Sequence, residues 1–493
     1  MEIFMQAHSN ADLQKVERTR KLRRILLIVG FAVSAVLMSA ASRGDLALDE
    51  VVSLQKAENA PTWLEIVTQN QNDNNHLLNT FFLRLIGRRE NLYVYRIPAV
   101  LFGMATVATL GLAARRWGKA EPAWVVCLAG LSFPMILYCS EARGYAPAMF
   151  FAVASFELLQ RCQERCTPAK LLIFWTSLCL GFLSHFSFVF VFAALGGWSL
   201  IHEKFIGASL RGAGVSIAKY YAVPAIFLAG VYLVYIRHMI ILGGKIYSRW
   251  EVAGAGASYA LGFADTPSLR FISVSCATAL AGCGILVLFR QKRDVWLFFA
   301  LALLVFPALV AIVLHPRILY FRYFMVCFPF FYLLLAFLFA TWFRTLGKMK
   351  MIPVLLLLAI TTGHLIKISG LLHLGRGHYR QALYDMTAAT PGPVIVVGSD
   401  HDWRNGTLLE FYARFLPPSK KIFYIPSYKR NEVKPEWLIV HSLDATFTAS
   451  SEVEVGQAGK YLLFATYPYC GSPGSGYFWF VYRRLADADT VQN

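Results

Sequence analysis

The chain is poor in charge. Asp, Glu, Lys and Arg make up only 15% of its 493 residues, against 57% hydrophobic ones. That balance excludes an ordinary soluble domain and indicates a polytopic membrane protein. Acid is scarcer than base, 29 Asp and Glu against 47 Lys and Arg, for a net charge of +18. In a soluble chain such an excess would suggest nucleic acid. Here the basic residues stand in short clusters between apolar runs, as cytoplasmic loops do, and no nucleic-acid partner is expected. Cysteine supplies no framework either. Cys127, Cys139, Cys179, Cys276, Cys283 and Cys327 lie in apolar runs, Cys162 and Cys166 share one basic loop, and Cys470 stands alone. Neither a disulfide scaffold nor a zinc site follows from that spacing. Internal repeats and low-complexity tracts are also missing.

What the chain has is apolar runs. The first, 25–41, follows a basic segment, 1–24, that ends Arg18, Arg20, Lys21, Arg23, Arg24. A cleaved signal would look similar, but the run is nearly long enough to span and many others follow, so a retained anchor is expected. Further runs fall near 93–114, 123–140, 144–160, 171–184, 186–201, 220–237, 271–289, 295–314, 320–343 and 351–370, which predicts about eleven transmembrane helices over 25–370. With the N-terminus inside, alternate spans end at Arg115–Lys119, Arg161–Lys170, Lys204–Lys219, Arg290–Arg293 and Arg344–Lys350. All are basic and nearly free of acid, which the positive-inside rule expects of cytoplasmic loops. An odd number of spans puts residues 371–493 outside. There, "HYRQALYDMTAA" and "GTLLEFYARFL" have helical patterning. "GPVIVVGS", "KKIFYIP", "EWLIVHS", "KYLLFATY" and "GYFWFVYRR" read as strands. The fold class expected is an all-α polytopic membrane protein with a small extracytoplasmic C-terminal α/β domain. Two other outer segments are more than turns. Residues 43–92 form a long first loop with interfacial helices around Trp63–Val67 and Leu77–Ile86. Residues 238–270 form a Gly-rich loop, either a mobile cover or a plain connector.

The polar residues at the outer face are the candidate site. Asp49 and Glu50 follow the first span, with Asp45 one turn earlier; His76 lies in "NDNNHLLN"; Glu141, Arg143 and Tyr145 lie in "YCSEARGYA". His185 separates two spans, and His315, Arg317, Arg322 and Tyr323 lie in "HPRILYFRYF". Singly, each has a plain alternative: an ion pair closing a hairpin, snorkelling arginines, a satisfied interfacial histidine, helix-capping acids. Together they suit one reaction. The guanidinium fork matches a lipid phosphate, and a carboxylate can take the proton of an attacking hydroxyl. A phosphate needs no general acid to leave if arginines stabilise its charge. A lipid or polyprenol-phosphate transporter is the alternative, but one would expect mid-membrane charges and repeated halves of it. A non-catalytic scaffold would not need arginines opposite the acids.

The order "LDE", an Asn-His element, "RIPAVLFG", "YCSEARGYA", "SHFSFVFVFAAL" and "PRILYFRYFMVCFPFFYLLL" resembles the GT-C superfamily, in the branch of bacterial protein O-mannosyltransferases and aminoarabinose transferases. The resemblance covers about residues 25–345. It implies a polyprenyl-phosphate-linked sugar as donor, a cell-envelope acceptor outside the cytoplasmic (inner) membrane, Asp49 as catalytic base with Glu50 assisting, and Arg143, Arg317 and Arg322 at the lipid phosphate. His76, Glu141, Tyr145, His185 and Tyr323 would position donor or acceptor. A divalent metal, where one is used, would draw on Asp49, Glu50 and His76. At His76-Leu77-Leu78 the chain departs from the His-Pro-Pro or His-Pro-Leu of many relatives.

Overall fold

The computed structural model describes residues 2–69, 71–118, 121–241, 243–314, 316, 318–444, 446–472 and 474–485. Arg317 and His315 lie outside the described residues. The described chain is mostly helical, with one sheet near its C-terminus. It divides into two compact units. One comprises 1–40, 67–79 and 97–368; the other comprises 41–66, 80–96 and 369–493.

The first unit holds the apolar helices. Among the described residues of the whole chain, eight helices are long and apolar enough to cross a membrane: Lys21–Ala41, Leu92–Ala114, Phe188–Phe205, Leu210–His238, Pro267–Arg290, Trp296–Leu314, Phe321–Thr345 and Gly347–Ala389. The other three runs differ for local reasons. Residues 123–140 break into Glu121–Gly130 and Phe133–Tyr138, where the Ser132 side chain caps the second helix and Pro134 starts it. Tyr145–Glu164 carries Glu157, Arg161 and Glu164 toward its end, and Pro168–Ser184 is 17 residues long. The expected eleven spans therefore reduce to eight by this measure. The Gly-rich segment 238–270 is also more ordered than a loop. It contains the helix Arg249–Leu261, opened by a capping box between Ser248 and Glu251 and closed by Gly262 at φ 76°. That S-x-x-E signal was present in the sequence.

In the second unit, Leu48–Asn59 is a helix whose first turn holds Asp49 and Glu50. The sheet has the order β2-β1-β3-β6-β5-β4, with β1 Val394–Ser399, β2 Lys421–Ile425, β3 Trp437–Ser442, β4 Glu452–Glu454, β5 Lys460–Tyr467 and β6 Phe478–Arg484. β1 lies parallel to β2 and β3, and the rest is antiparallel. Tyr379–Ala389 and Asp402–Ala413 are the helices of this α/β domain. Apolar faces of the strands bury Leu438, Tyr461, Phe480 and Tyr482 in a common core. The short β4 carries no apolar run and was not legible in the sequence.

Candidate functional site

In the first unit, the hairpin after Phe133–Tyr138 is tied to the segment carrying His76. The Gly144 N–H donates to His76 Nδ1 at 2.8 Å, and Asn79 Nδ2 donates to the Ala142 carbonyl at 2.8 Å. Only glycine fits at 144, because a Cβ there would lie 1.9 Å from the Ser184 carbonyl and 2.7 Å from the His76 Cβ. Arg143 is 3% exposed; its Nη2 donates to Asn74 Oδ1 at 2.6 Å, and its guanidinium lies 5.3 Å from the Tyr145 ring centre. Glu141, two residues earlier, is buried as well.

Around this hairpin the rings form a cluster. His76 lies 4.7 Å from His185 and 5.3 Å from Tyr145, and Tyr145 lies 4.8 Å from His185, centre to centre. Tyr323 stands 6.2 Å from His185, and the Arg322 guanidinium is 4.7 Å from the Tyr320 ring. Residues from four separate stretches of the sequence thus share one patch: His76, Arg143 with Tyr145, His185, and Arg322 with Tyr323. Sequence reasoning passed over Tyr138, which packs 4.9 Å from Tyr145, and Asn74, which holds Arg143.

His185 lies between the helices Pro168–Ser184 and Phe188–Phe205, and its Nδ1 accepts from the Ser187 N–H at 3.1 Å. Burial pulls its pKa from 6.5 to about 3, and the charges of Arg143 and Arg322 push the same way. The ring is therefore neutral at physiological pH, and two cations act on it. Because its folded value is lowered, the unfolded chain takes up a proton at a pH where the folded one does not. Stability is full above about pH 6.5 and is lost as pH falls toward 3. The expected loss is roughly 1 kcal/mol per pH unit. His185→Gln should flatten that slope in thermal unfolding at pH 7, 6 and 5; equal slopes would mean that the folded ring already carries the proton.

The acids of the second unit are held differently from one another. Asp45 is 6% exposed and accepts from the Arg380 backbone N–H at 2.8 Å and from Arg380 Nε at 2.6 Å. Glu50 is 1% exposed and paired with the fully buried Arg96, through Nε at 2.8 Å and Nη2 at 2.6 Å. Its Oε2 also accepts from the Ala47 N–H at 2.9 Å, closing the helix N-terminus. Asp49 is the one half-exposed member of the three. Its helix is fastened to the α/β domain. The Tyr412 hydroxyl donates to the Leu46 carbonyl at 2.8 Å, Arg376 Nη1 to the Ala41 carbonyl at 2.6 Å, and Arg414 pairs with Glu58 at 3.3 Å. Among the described residues no three His, Cys, Asp or Glu side chains are grouped as metal ligands. Glu50, expected as a ligand if a metal binds, has both oxygens engaged with Arg96 and the Ala47 N–H. Glu50 is therefore not free to act as a metal ligand in this arrangement.

A separate cavity of about 680 Å³ opens in the first unit beside the helix Arg249–Leu261. Its walls are largely apolar and include Trp250, Ala260, Leu303, Pro307, Phe328 and Phe331. Pro307 stands between two π-helical stretches, Leu301–Val305 and Val310–Leu314.

No protein-family profile matches the chain, and no curated protein matches it. Solved structures do. ArnT from Cupriavidus metallidurans in the apo state superposes with a TM-score of 0.53 at 11% identity, over 93% of this chain and 98% of that one. The same protein bound to undecaprenyl phosphate gives 0.51 at 12% identity, over 94% and 98%. The Archaeoglobus fulgidus oligosaccharyltransferase, in complex with Zn and sulfate, gives 0.49 at 12% identity, over 84% of this chain and 67% of that one. The chain therefore shares its fold with the ArnT structures over most of its length.

Proposed function

We propose that the chain is an integral-membrane glycosyltransferase. It moves a sugar from a polyprenyl-phosphate donor to an acceptor hydroxyl at the outer face of the cytoplasmic membrane. The N-terminus is cytoplasmic and the α/β domain extracytoplasmic in this reading. The observation that carries it is the cluster of rings around His185, with buried Arg143 against Tyr145 and Arg322 next to Tyr323 in the chain. A buried guanidinium, Arg143, and a half-buried one, Arg322, at the end of membrane helices suit a lipid-borne anion. The apolar cavity of about 680 Å³ in the same unit suits a segment of polyprenyl chain. Undecaprenyl phosphate is the ligand of the ArnT structure of like fold.

In this mechanism Asp49 takes the proton of the acceptor hydroxyl, and the oxygen attacks the anomeric carbon. The bond from that carbon to the phosphate oxygen breaks, with inversion, and polyprenyl phosphate departs with the electron pair. Arg143 and Arg322 stabilise the charge gained by the leaving phosphate. Arg317 is proposed for the same phosphate from its place in "HPRILYFRYF" alone. His76, Glu141, Tyr145, His185 and Tyr323 position donor or acceptor, and Glu50 acts through Arg96 on the backbone that presents Asp49. The purified chain, offered a panel of radiolabelled polyprenyl-phosphate sugars with candidate envelope acceptors, tests the reading. Failure to release polyprenyl phosphate from any donor would sink it.

Arg143→Ala is expected to weaken donor binding by about 10–100-fold, the range for a hydrogen bond to a charged group. Arg143→Lys should recover only part, since an ammonium lacks the fork. Unchanged donor affinity in folded Arg143→Ala would leave Arg143 a structural residue and not part of the donor site.

A further inference from the structure

Tyr138 ends the helix Phe133–Tyr138 and directly precedes the turn that carries Glu141 and Arg143, after which Tyr145 opens the next helix. Its side chain is 1% exposed, and its hydroxyl has no hydrogen-bond partner. Three other deeply buried tyrosines of the unit contrast with it. Tyr332 bonds Ser132 Oγ at 2.7 Å, Tyr221 bonds Ser199 Oγ at 2.7 Å, and Tyr235 donates to the Asn72 carbonyl at 2.9 Å. A buried hydroxyl left unpaired bears its desolvation penalty without return, and native folds keep few. Packing does not explain it. The ring meets Tyr145 at 4.9 Å and Phe321 at 6.2 Å, edge to face in both cases, and a phenylalanine would make those contacts equally well.

The surroundings of the hydroxyl say what would pair with it. The groups acting on it electrostatically are Glu141, Arg322, Tyr145 and Tyr259. Arg322 is one of the two cations that also act on His185. An anion drawn to Arg322 would come to lie beside a phenol whose proton has nowhere else to go. A hydrogen bond from a neutral donor to a charged acceptor is among the stronger kinds. It would also relieve the penalty that the ligand-free protein carries.

We infer that Tyr138 is a positioning residue for the donor: its hydroxyl donates to a phosphate oxygen of the polyprenyl-phosphate substrate and is satisfied only in that complex. The inference rests on the reading of Arg143 and Arg322 as the lipid-phosphate site. It predicts opposite signs for stability and affinity. Without ligand, Tyr138→Phe removes an unpaired hydroxyl and should unfold at the same temperature as the parent or higher. With ligand, it should bind about 10-fold more weakly. In turnover the donor KM should rise while kcat stays within a few-fold.

The experiment uses the full chain in detergent, as the parent, Tyr138→Phe and Arg143→Ala. It measures thermal unfolding without ligand and Kd for undecaprenyl phosphate, with inorganic phosphate as a parallel probe. Weaker undecaprenyl phosphate binding by Tyr138→Phe, with undiminished thermal stability and no response of any protein to millimolar inorganic phosphate, is the expected result. If Arg143→Ala binds weakly but Tyr138→Phe binds as the parent does, the phosphate site stands and the role of Tyr138 falls. A lower unfolding temperature for Tyr138→Phe would also overturn it, since the hydroxyl would then be satisfied in the free protein. No binding of undecaprenyl phosphate by the parent would remove the donor reading and this inference together.

Discussion

Asp49→Asn is expected to slow single-turnover transfer by about 10²–10⁴-fold, the usual contribution of a positioned general base, while donor affinity stays close to that of the parent. Asparagine keeps the shape of the side chain and removes its ability to accept a proton. Of the three acids near the start of the helix Leu48–Asn59, Asp49 alone is half-exposed; Asp45 and Glu50 are buried against Arg380 and Arg96. Asp49 also stands in the first turn of the helix, where the aligned peptide dipoles favour a negative charge. Asp45→Asn should therefore act through folding and presentation of the helix and should lower thermal stability before it lowers the rate per folded molecule. Normal turnover by Asp49→Asn beside a dead but well-folded Asp45→Asn would move the base one helical turn toward the N-terminus.

Glu50→Ala is expected to lower stability by about 3–5 kcal/mol, the cost of stranding one member of a buried ion pair. Arg96 is 0% and Glu50 1% exposed, so water cannot replace the lost partner. Arg96 also donates to the Ser42 carbonyl at 3.0 Å and the Asp45 carbonyl at 2.8 Å, so it organises the backbone turn leading into the helix. Arg96→Leu should cost a similar amount, and the double variant should cost less than the sum of the two because the charges vanish together. It should not recover fully, since those carbonyls would lack a donor. Chemical denaturation of the four proteins measures both the losses and the coupling. A Glu50→Gln protein as stable as the parent yet inactive in transfer would place Glu50 in the chemistry instead of in the scaffold.

The membrane helices were legible because apolar length is a property of contiguous residues. The ring cluster was legible in part, since charge and aromatic content at one end of several runs are visible in the sequence. The partners were not. Asp45 and Arg380 are separated by 335 positions, and Leu46 and Tyr412 by 366, and no periodicity links residues at that distance. For the same reason the expected first loop, 43–92, does not reveal that 41–66 and 80–96 pack as one unit with residues 369–493. Hydropathy also counts residues without seeing breaks. The run 123–140 looked like a span, and only the geometry at Ser132 shows two helices. Arg249–Leu261 was the reverse case, since glycine content masked a capping box that was plain in the letters.

Two of the apolar helices are governed by different constraints. In Trp296–Leu314 17% of the apolar window is buried in protein, and in Phe321–Thr345 94% is. The first is mostly exposed to its surroundings, so away from the cavity wall at Leu303 and Pro307 one aliphatic residue can drift to another with little consequence. The second is fitted residue by residue. Leu334 occupies the space left by Gly284, where a Cβ would lie 2.7 Å from the Leu334 Cγ, and Phe330, Tyr332 and Leu335 are fully enclosed. Neutral drift among Leu, Ile, Val and Phe should be common along the first segment and rare along the second. Two stretches that hydropathy alone treats alike would then diverge at different rates, one limited by solubility in lipid and the other by shape.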